Sequence, residues 1–515
     1  MEIAGKVALV TGASRGIGAA IARALGQQPV PAPAPVTLAP QAPAASPPPN
    51  QMSEKDKAFV ANMLAGMTAQ VQHEQDLDDL RGNEPVSVRL VPQVPIRDDA
   101  TAWLGGGACL PEGFDWPDED GTRLQLIVQF DCSLLPADVW DGLGPRHGWL
   151  AIFLNPKTAN PTVLHFADAG PYQASPPLDS ECNIVGLDMR PSKSDERPRP
   201  VQAFPRWPVD LVTVRKGKND PRAAGWSEIQ NSRYAEEWDI AEPRFHPFDW
   251  DSARVMMDLA VKTVDKRLYR GELRAQLKPD AMAASEARLA DSKASGAEAS
   301  KFLEMQLNLD EAKAGLRVHA DAVANGDRIV DRLKALKAQV DEMSAAQPFS
   351  TAALAPILAE MQGMQVLSLK VPPLYRDGQK LPVEQRAEEG VTLRSLPVTA
   401  HDRDRLSWAH SYVTYLQDRA KHIYTADPSS LSEALRADCE AIWKDRASHE
   451  MGGLGHVPWN YVHDFDPARD VTLLELPSSK LMNWQFGDVD HLVLTVKKAD
   501  LAQGRFDQVL MQVSN

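Results

Sequence analysis

Between residues 29 and 50 the chain reads Pro-Val-Pro-Ala-Pro-Ala-Pro-Val and continues through further proline and alanine to Asn50. Each proline removes a backbone donor and holds φ near about −65°, so this tract can be neither a central strand nor a crossover helix and favours extended polyproline geometry. It separates the residues on its two sides into independent parts. The expected organisation is therefore a leading fragment over 1–28, a proline/alanine-rich linker over 29–51, and a larger domain whose first half covers 52–253 and whose second half covers 371–515, with a helical insertion over 254–370 between them.

The leading fragment has a definite chemistry of its own. Lys6-Val7-Ala8-Leu9-Val10 is an apolar, β-branched run suited to a buried strand, and Thr11-Gly12-Ala13-Ser14-Arg15-Gly16-Ile17-Gly18 comes directly after it. Glycines at this spacing let the backbone approach a pyrophosphate, and a helix starting near Ile17 would aim its N–H groups at that anion. The segment resembles the cofactor loop of short-chain dehydrogenases, which would make Gly12, Ser14, Arg15, Gly16, Ile17 and Gly18 the NAD(P)-contacting residues. The proline tract stands where the second parallel strand and the ribose-reading residue should come, and one βα unit cannot bury both faces of its strand. The catalytic pair of that family, a tyrosine with lysine four residues later, is matched by none of the eight tyrosines. We read the loop as vestigial, expect no cofactor, and keep an NAD(P)-binding oxidoreductase remnant as the alternative that a nucleotide titration decides. Met52 is a plausible native start for the rest.

Beyond the linker, Phe59, Met63, Met67 and Val71 fall at helical spacing, and Val86, Val88 and Leu90 alternate as in a strand that Pro92 and Pro95 turn toward an edge. A glycine- and proline-shaped loop, Trp103 to Pro117, leads to the strand Leu124–Asp131 and then to Gly148 and the strand Trp149–Leu154, the pattern of an antiparallel meander. Near the other end come His449-Glu450-Met451-Gly452-Gly453, the strand Val471–Leu476, Trp484-Gln485-Phe486-Gly487-Asp488, the strand His491–Val496 and a last strand from Gln508 to Val513. In this order the blocks resemble the YwqG-like family of bacterial proteins, whose glycine pair, Leu-Pro-Glu-Gly turn, Trp-Pro step and paired apolar strands all have counterparts here. The family places tryptophan directly before Gly-Asp; this chain has Phe486 there and Trp484 two residues earlier. The two blocks also resemble each other. The expected fold class is α+β: a mostly antiparallel, internally duplicated sheet domain with a helical insertion, plus the isolated N-terminal βα fragment.

Inside the insertion, Met257, Val261, Val264 and Leu268 step by four and three, as do Ile329, Leu333, Leu336, Val340 and Met343. Two readings stay open, an antiparallel arm for partner contact or self-association and plain packing on the sheet. Further helices are expected near Thr351–Met364, Arg403–His422 and Ser430–Arg446, the last entered through Asp427-Pro428-Ser429-Ser430.

The 70 acidic against 55 basic residues, a formal charge of −15, argue against nucleic acid and anionic membrane as partners. No apolar run reaches the roughly 20 residues a membrane helix needs. The unpatterned cysteines Cys109, Cys132, Cys182 and Cys439 suggest buried inert thiols in a reducing cytoplasm. His449, His456 and His463 recur every seven residues beside Asp464, Asp466 and Asp470, but a helix end and a broken loop give them no shared face, so no metal is expected. Asp131 and Asp488, at matching turns of the two blocks, and His449 are the candidate catalytic residues; carboxylates that cap turns are the commoner use of such positions. Trp103, Trp116, Trp149, Trp459 and Trp484 cluster in the two blocks, and a groove lined by several of them would suit a peptide or glycan. The resemblance implies an uncharacterised protein that binds another protein or peptide, in the manner of a toxin-neutralising factor. An enzyme with a cleft between the two repeats is the rival.

Overall fold

The computed structural model describes residues 72, 75–97, 100–177, 182–184, 204–223, 238–269, 279–296, 298–376, 379–401 and 408–514, with the side chains of 263–281 left undescribed. The chain divides into two compact units at Arg81 and Gly82. Of the first only residue 72 and a helical stretch over 75–80 with its closing turn are described, so the dinucleotide-type loop, its six candidate residues, the linker and the helix expected over Phe59–Val71 lie outside the described residues. The second unit holds the sheet, the helices and the candidate site.

Its centre is a ten-stranded sheet built from β1 (Ser87–Pro92), β2 (Ala102–Leu104), β3 (Gln125–Asp131), β4 (Trp149–Leu154), β5 (Pro161–Phe166), β6 (Trp207–Val214), β7 (Gly452–Leu454), β8 (Asp470–Pro477), β9 (His491–Lys497) and β10 (Leu510–Ser514). The order across it is β10-β9-β8-β7-β1-β6-β2-β3-β4-β5, and every neighbouring pair is antiparallel. The meander β2 to β5 on one flank is mirrored by β7 to β10 on the other, with β1 and β6 paired in the middle. The sheet curls until it is nearly a barrel: the rings of His165 on the edge strand β5 and Phe506, just ahead of the opposite edge strand, come within 6.4 Å.

The strands read as continuous apolar runs because both faces are covered. In β4, Leu150, Ile152 and Leu154 enter the main core, while Ala151 and Phe153 join Trp103, Leu110, Trp116 and Leu126 in a smaller cluster on the other face, the period of two that a pleated strand imposes. β1, β3, β4, β8 and β9 fall within about two residues of expected strands, whereas β2, which lies at the start of the expected Trp103–Pro117 loop, and β5, β6 and β7 have no counterpart among the expected strands; the last strand is shorter, because Phe506–Gln508 forms a 3-10 turn ahead of it.

Helices close the main core. α1 (Trp250–Tyr269), α2 (Pro279–Ala294), α3 (Ala299–Ala346), α4 (Thr351–Gly363), α5 (Trp408–Ala426) and α6 (Glu433–His449) all lie between β6 and β7 in the chain. α1 and α3 run antiparallel: Trp250 Nε1 donates to Gln347 O at 2.8 Å, Arg254 lies 3.5 Å from Asp341 and Lys337 3.4 Å from Asp258. On α3 the expected seam is buried at Ile329, Leu333, Leu336 and Val340, with Met343 packed at its edge, so this half of the insertion packs into the core. The start of α6 differs from the expected one. Asp427 caps only a 3-10 turn over Pro428–Ser430, and the helix itself begins after Ser432, whose hydroxyl accepts from Leu435 N.

Candidate functional site

The two flanks match residue for residue at their most polar point. Each carries a bulge, between Leu126 and Val128 in β3 and between Thr472 and Leu474 in β8. Two positions past the bulged residue, each presents a polar side chain on the face away from the main core: Gln129, opposite Trp103 and Ala151, and Glu475, opposite Gly453 and Val493. A β-strand interior tolerates such a group only when it is satisfied.

Gln129 is satisfied by one residue. Its Oε1 accepts from Cys109 N and its Nε2 donates to Cys109 O, both at 2.9 Å, so a neutral amide stands in for a missing strand partner. Glu475, wholly buried, gathers three donors instead. Its Oε2 accepts from Trp459 N at 3.0 Å and from His456 Nε2 at 2.9 Å; its Oε1 accepts from His491 Nδ1 at 2.7 Å. His456 stacks on the Trp459 indole at 4.2 Å. The guanidinium of Arg222 lies 4.2 Å from the same ring and that of Arg89 5.2 Å, and both arginines pair with the single carboxylate of Asp220, Arg89 at 2.8 Å and Arg222 at 3.1 Å.

Burial pushes the Glu475 carboxyl up, but the hydrogen bonds donated by His456 and His491 outweigh it and bring the group down to about 2. For His456 burial dominates and lowers the pKa in spite of Glu475. The consistent state is an ionised Glu475 receiving a proton-bearing Nε2 from a neutral His456. His456 Nδ1 then carries a lone pair, and it is buried with no partner, facing Gly453, where a Cβ would lie 3.0 Å from it. Asp220 is likewise brought to about 2, its burial overridden by Arg89 and Arg222.

The expected catalytic residues fall elsewhere. Asp131 caps the turn that ends β3, accepting from Ser133 N at 2.8 Å, and it is level with Pro477 rather than with Asp488, since Trp149 and His491 are their respective partners. Asp488 is exposed in the turn before β9, where its N–H donates to Asp490 Oδ2. His449 ends α6 with Nδ1 2.9 Å from Asp445 O. No hydrogen bond or ion pair joins any two of the three. The seven-residue histidine series also separates: His456 is in the Glu475 network, while His463 is exposed beside Asp464. Among the described residues no group of three His, Cys, Asp or Glu is arranged to hold a metal ion.

In the sequence, Glu475 and His491 are legible only as members of apolar strands. An acid inside Val471–Leu476 is the signal: a carboxylate there must find donors, and a histidine opening the next strand is the nearest supply. Of the five tryptophans in the two blocks named above, Trp103, Trp116 and Trp484 are buried and Trp149 and Trp459 partly exposed. Trp484 donates to Pro477 O at 3.0 Å and packs at 6.0 Å from Phe486, so the shifted ring still anchors the turn before β9.

A separate open hollow of about 570 Å3 lies where the curled sheet fails to close, between β5 and the 501–507 segment, and includes Leu164, His165, Phe506 and Asp507 in its lining. His165 Nε2 is 2.9 Å from His147 O.

Residues 102–175, which span β2 to β5, match the family model of a domain of unknown function, DUF1963, the domain family that includes YwqG. No curated protein matches the chain. Among the described residues no helix is long and apolar enough to cross a membrane.

Proposed function

We propose that the chain is a protein- or peptide-binding module, built on a sheet whose two flanks arose by duplication of one meander. What supports this is the state of the buried cluster around Glu475. Both oxygens of Glu475 are occupied by donors from its own domain, so the carboxylate and His456 lock the 456–459 turn onto β8 rather than address a substrate. The mirrored strand order and the matching bulges support the duplication, and Gln129 and Glu475 mark how the two copies diverged: one kept a neutral clamp and the other took a charged one.

The binding reading is tested with the tagged full chain in extracts of its native host. A polypeptide that co-purifies, and that forms a stoichiometric complex when both partners are purified and titrated calorimetrically, supports it. Turnover of a small molecule with no polypeptide bound, or micromolar binding of NAD(H) or NADP(H), would sink it. One observation favours the rival enzyme: the hollow beside His165 and Asp507 lies between the two flanks, where a cleft enzyme would work. On that reading His165→Ala abolishes any turnover found, whereas on ours it leaves partner binding unchanged.

A further inference from the structure

Both flanks set an arginine over a tryptophan, and among the described residues only one of these flanks supplies a carboxylate. Over Trp459, Arg89 and Arg222 share Asp220. Over Trp103, Arg206 lies 4.0 Å from the ring centroid and 5.2 Å from that of Tyr172, no described carboxylate pairs with it, and its Nε is buried without an acceptor. The backbone is shaped for this stack. A Cβ at Gly106, where φ is +64°, would meet Arg206 Cβ at 2.5 Å, and one at Gly107 would meet the Tyr172 ring at 2.6 Å. Tyr172 is 48% exposed, and Trp149, partly exposed, stands 5.9 Å from Trp103.

A guanidinium set within reach of two ring centroids has lost rotamer freedom in advance, and its Nε–H has no acceptor, so it is suited to a planar anion. The rings beside it offer apolar area to whatever carries that anion. We propose, resting on the binding reading, that Arg206, Tyr172 and Trp149 form a docking site for an acidic polypeptide segment, with an Asp or Glu carboxylate on Arg206 and a neighbouring apolar side chain on Tyr172 and Trp149. Charge complementarity selects this occupant: Arg206 is a cation with no carboxylate partner among the described residues, on a chain of formal charge −15, and that wider field is screened beyond about 8 Å at physiological salt. Cys109, paired with Tyr172 in the small two-stranded ribbon, borders the site with its thiol raised by burial against the pull of Arg206, so it is a neutral neighbour.

The test is fluorescence anisotropy of the full chain with a labelled peptide of alternating glutamate and leucine, against a twin carrying glutamine for glutamate. The glutamate peptide binds saturably; the twin, and the glutamate peptide on Arg206→Gln, bind at least about tenfold more weakly, as loss of a charge-assisted pair requires. Tyr172→Ala, at an exposed position, weakens binding severalfold with the thermal midpoint unchanged, which separates recognition from folding should Arg206→Gln unfold. Equal binding by the two peptides, undiminished binding by Arg206→Gln, no binding of either peptide, or full displacement by millimolar inorganic phosphate overturns the site. A captured partner that binds Arg206→Gln as tightly as the unaltered chain removes this site and leaves the binding reading standing; absence of any polypeptide partner removes both.

Discussion

Glu475 shows how one residue can fix the chemistry of a whole region. Removing its carboxylate strands three donors, one of them on the deeply buried His456, so Glu475→Ala is expected to cost about 3–5 kcal/mol in urea unfolding. Glu475→Gln should cost clearly less, because an amide at the matching position of the other flank already clamps a backbone turn; equal losses would show that the charge itself, and not merely an acceptor, is required there. Since burial is outweighed and the folded pKa is near 2, below the ordinary value of 4.5, Glu475 contributes stability above pH 4.5 that fades as pH falls toward 2. His422 works at milder pH. Burial lowers it to about 4, so the unfolded chain takes the proton first, and up to about 3 kcal/mol is lost as pH falls from 6.5 to 4. Chemical denaturation across that range should show a shallower decline in His422→Leu; an unchanged slope would refute the assignment.

At the scale of elements, sequence periodicity is a reliable guide wherever packing obeys it. The seam Ile329, Leu333, Leu336, Val340 can be read off because a helix presents every third or fourth residue to its partner, and the strands because both of their faces are apolar. Leu333→Ala, at a wholly buried position, should lower the urea-unfolding free energy by about 2–5 kcal/mol, while Val323→Ala on the same helix, 53% exposed, should change it by less than about 0.5 kcal/mol. What the sequence hides is registry across distance. Asp131 and Asp488 look equivalent because each sits at a strand–turn junction, yet the pairing puts Asp131 level with Pro477, while Asp488 lies in the turn before β9. Which strand end a turn residue belongs to is decided by the cross-strand pairing, which a single chain does not display. The start of α6 escapes the sequence for a similar reason: Asp427 and Ser432 both satisfy the rule for a helix start, and only the chain path decides between them.

For the molecule as a whole, the resemblance between two distant blocks corresponds to mirrored flanks of one sheet, but the way they join is not visible in the sequence. β1, the first strand, does not sit beside β2. It pairs with β7, Val88 opposite Leu454, while β6 closes on β2. The second flank thus takes its inner neighbour, β1, from the first half of the chain, whereas the first flank is bordered by β6 of its own half. Residues 238–514 expressed alone should therefore fail to give cooperative thermal unfolding, and co-expression with 82–223, which carries β1, should recover it; a cooperative transition in 238–514 alone would disprove the dependence. This late pairing also dictates timing during synthesis. β1 leaves the ribosome among the first residues of the domain, and its β7 side stays open until Gly452 has been translated. Throughout that interval an apolar strand with a bare edge is available to other nascent chains, so yield in the cell should depend on translation speed and on chaperones that shield strand edges more than on the stability of the finished protein.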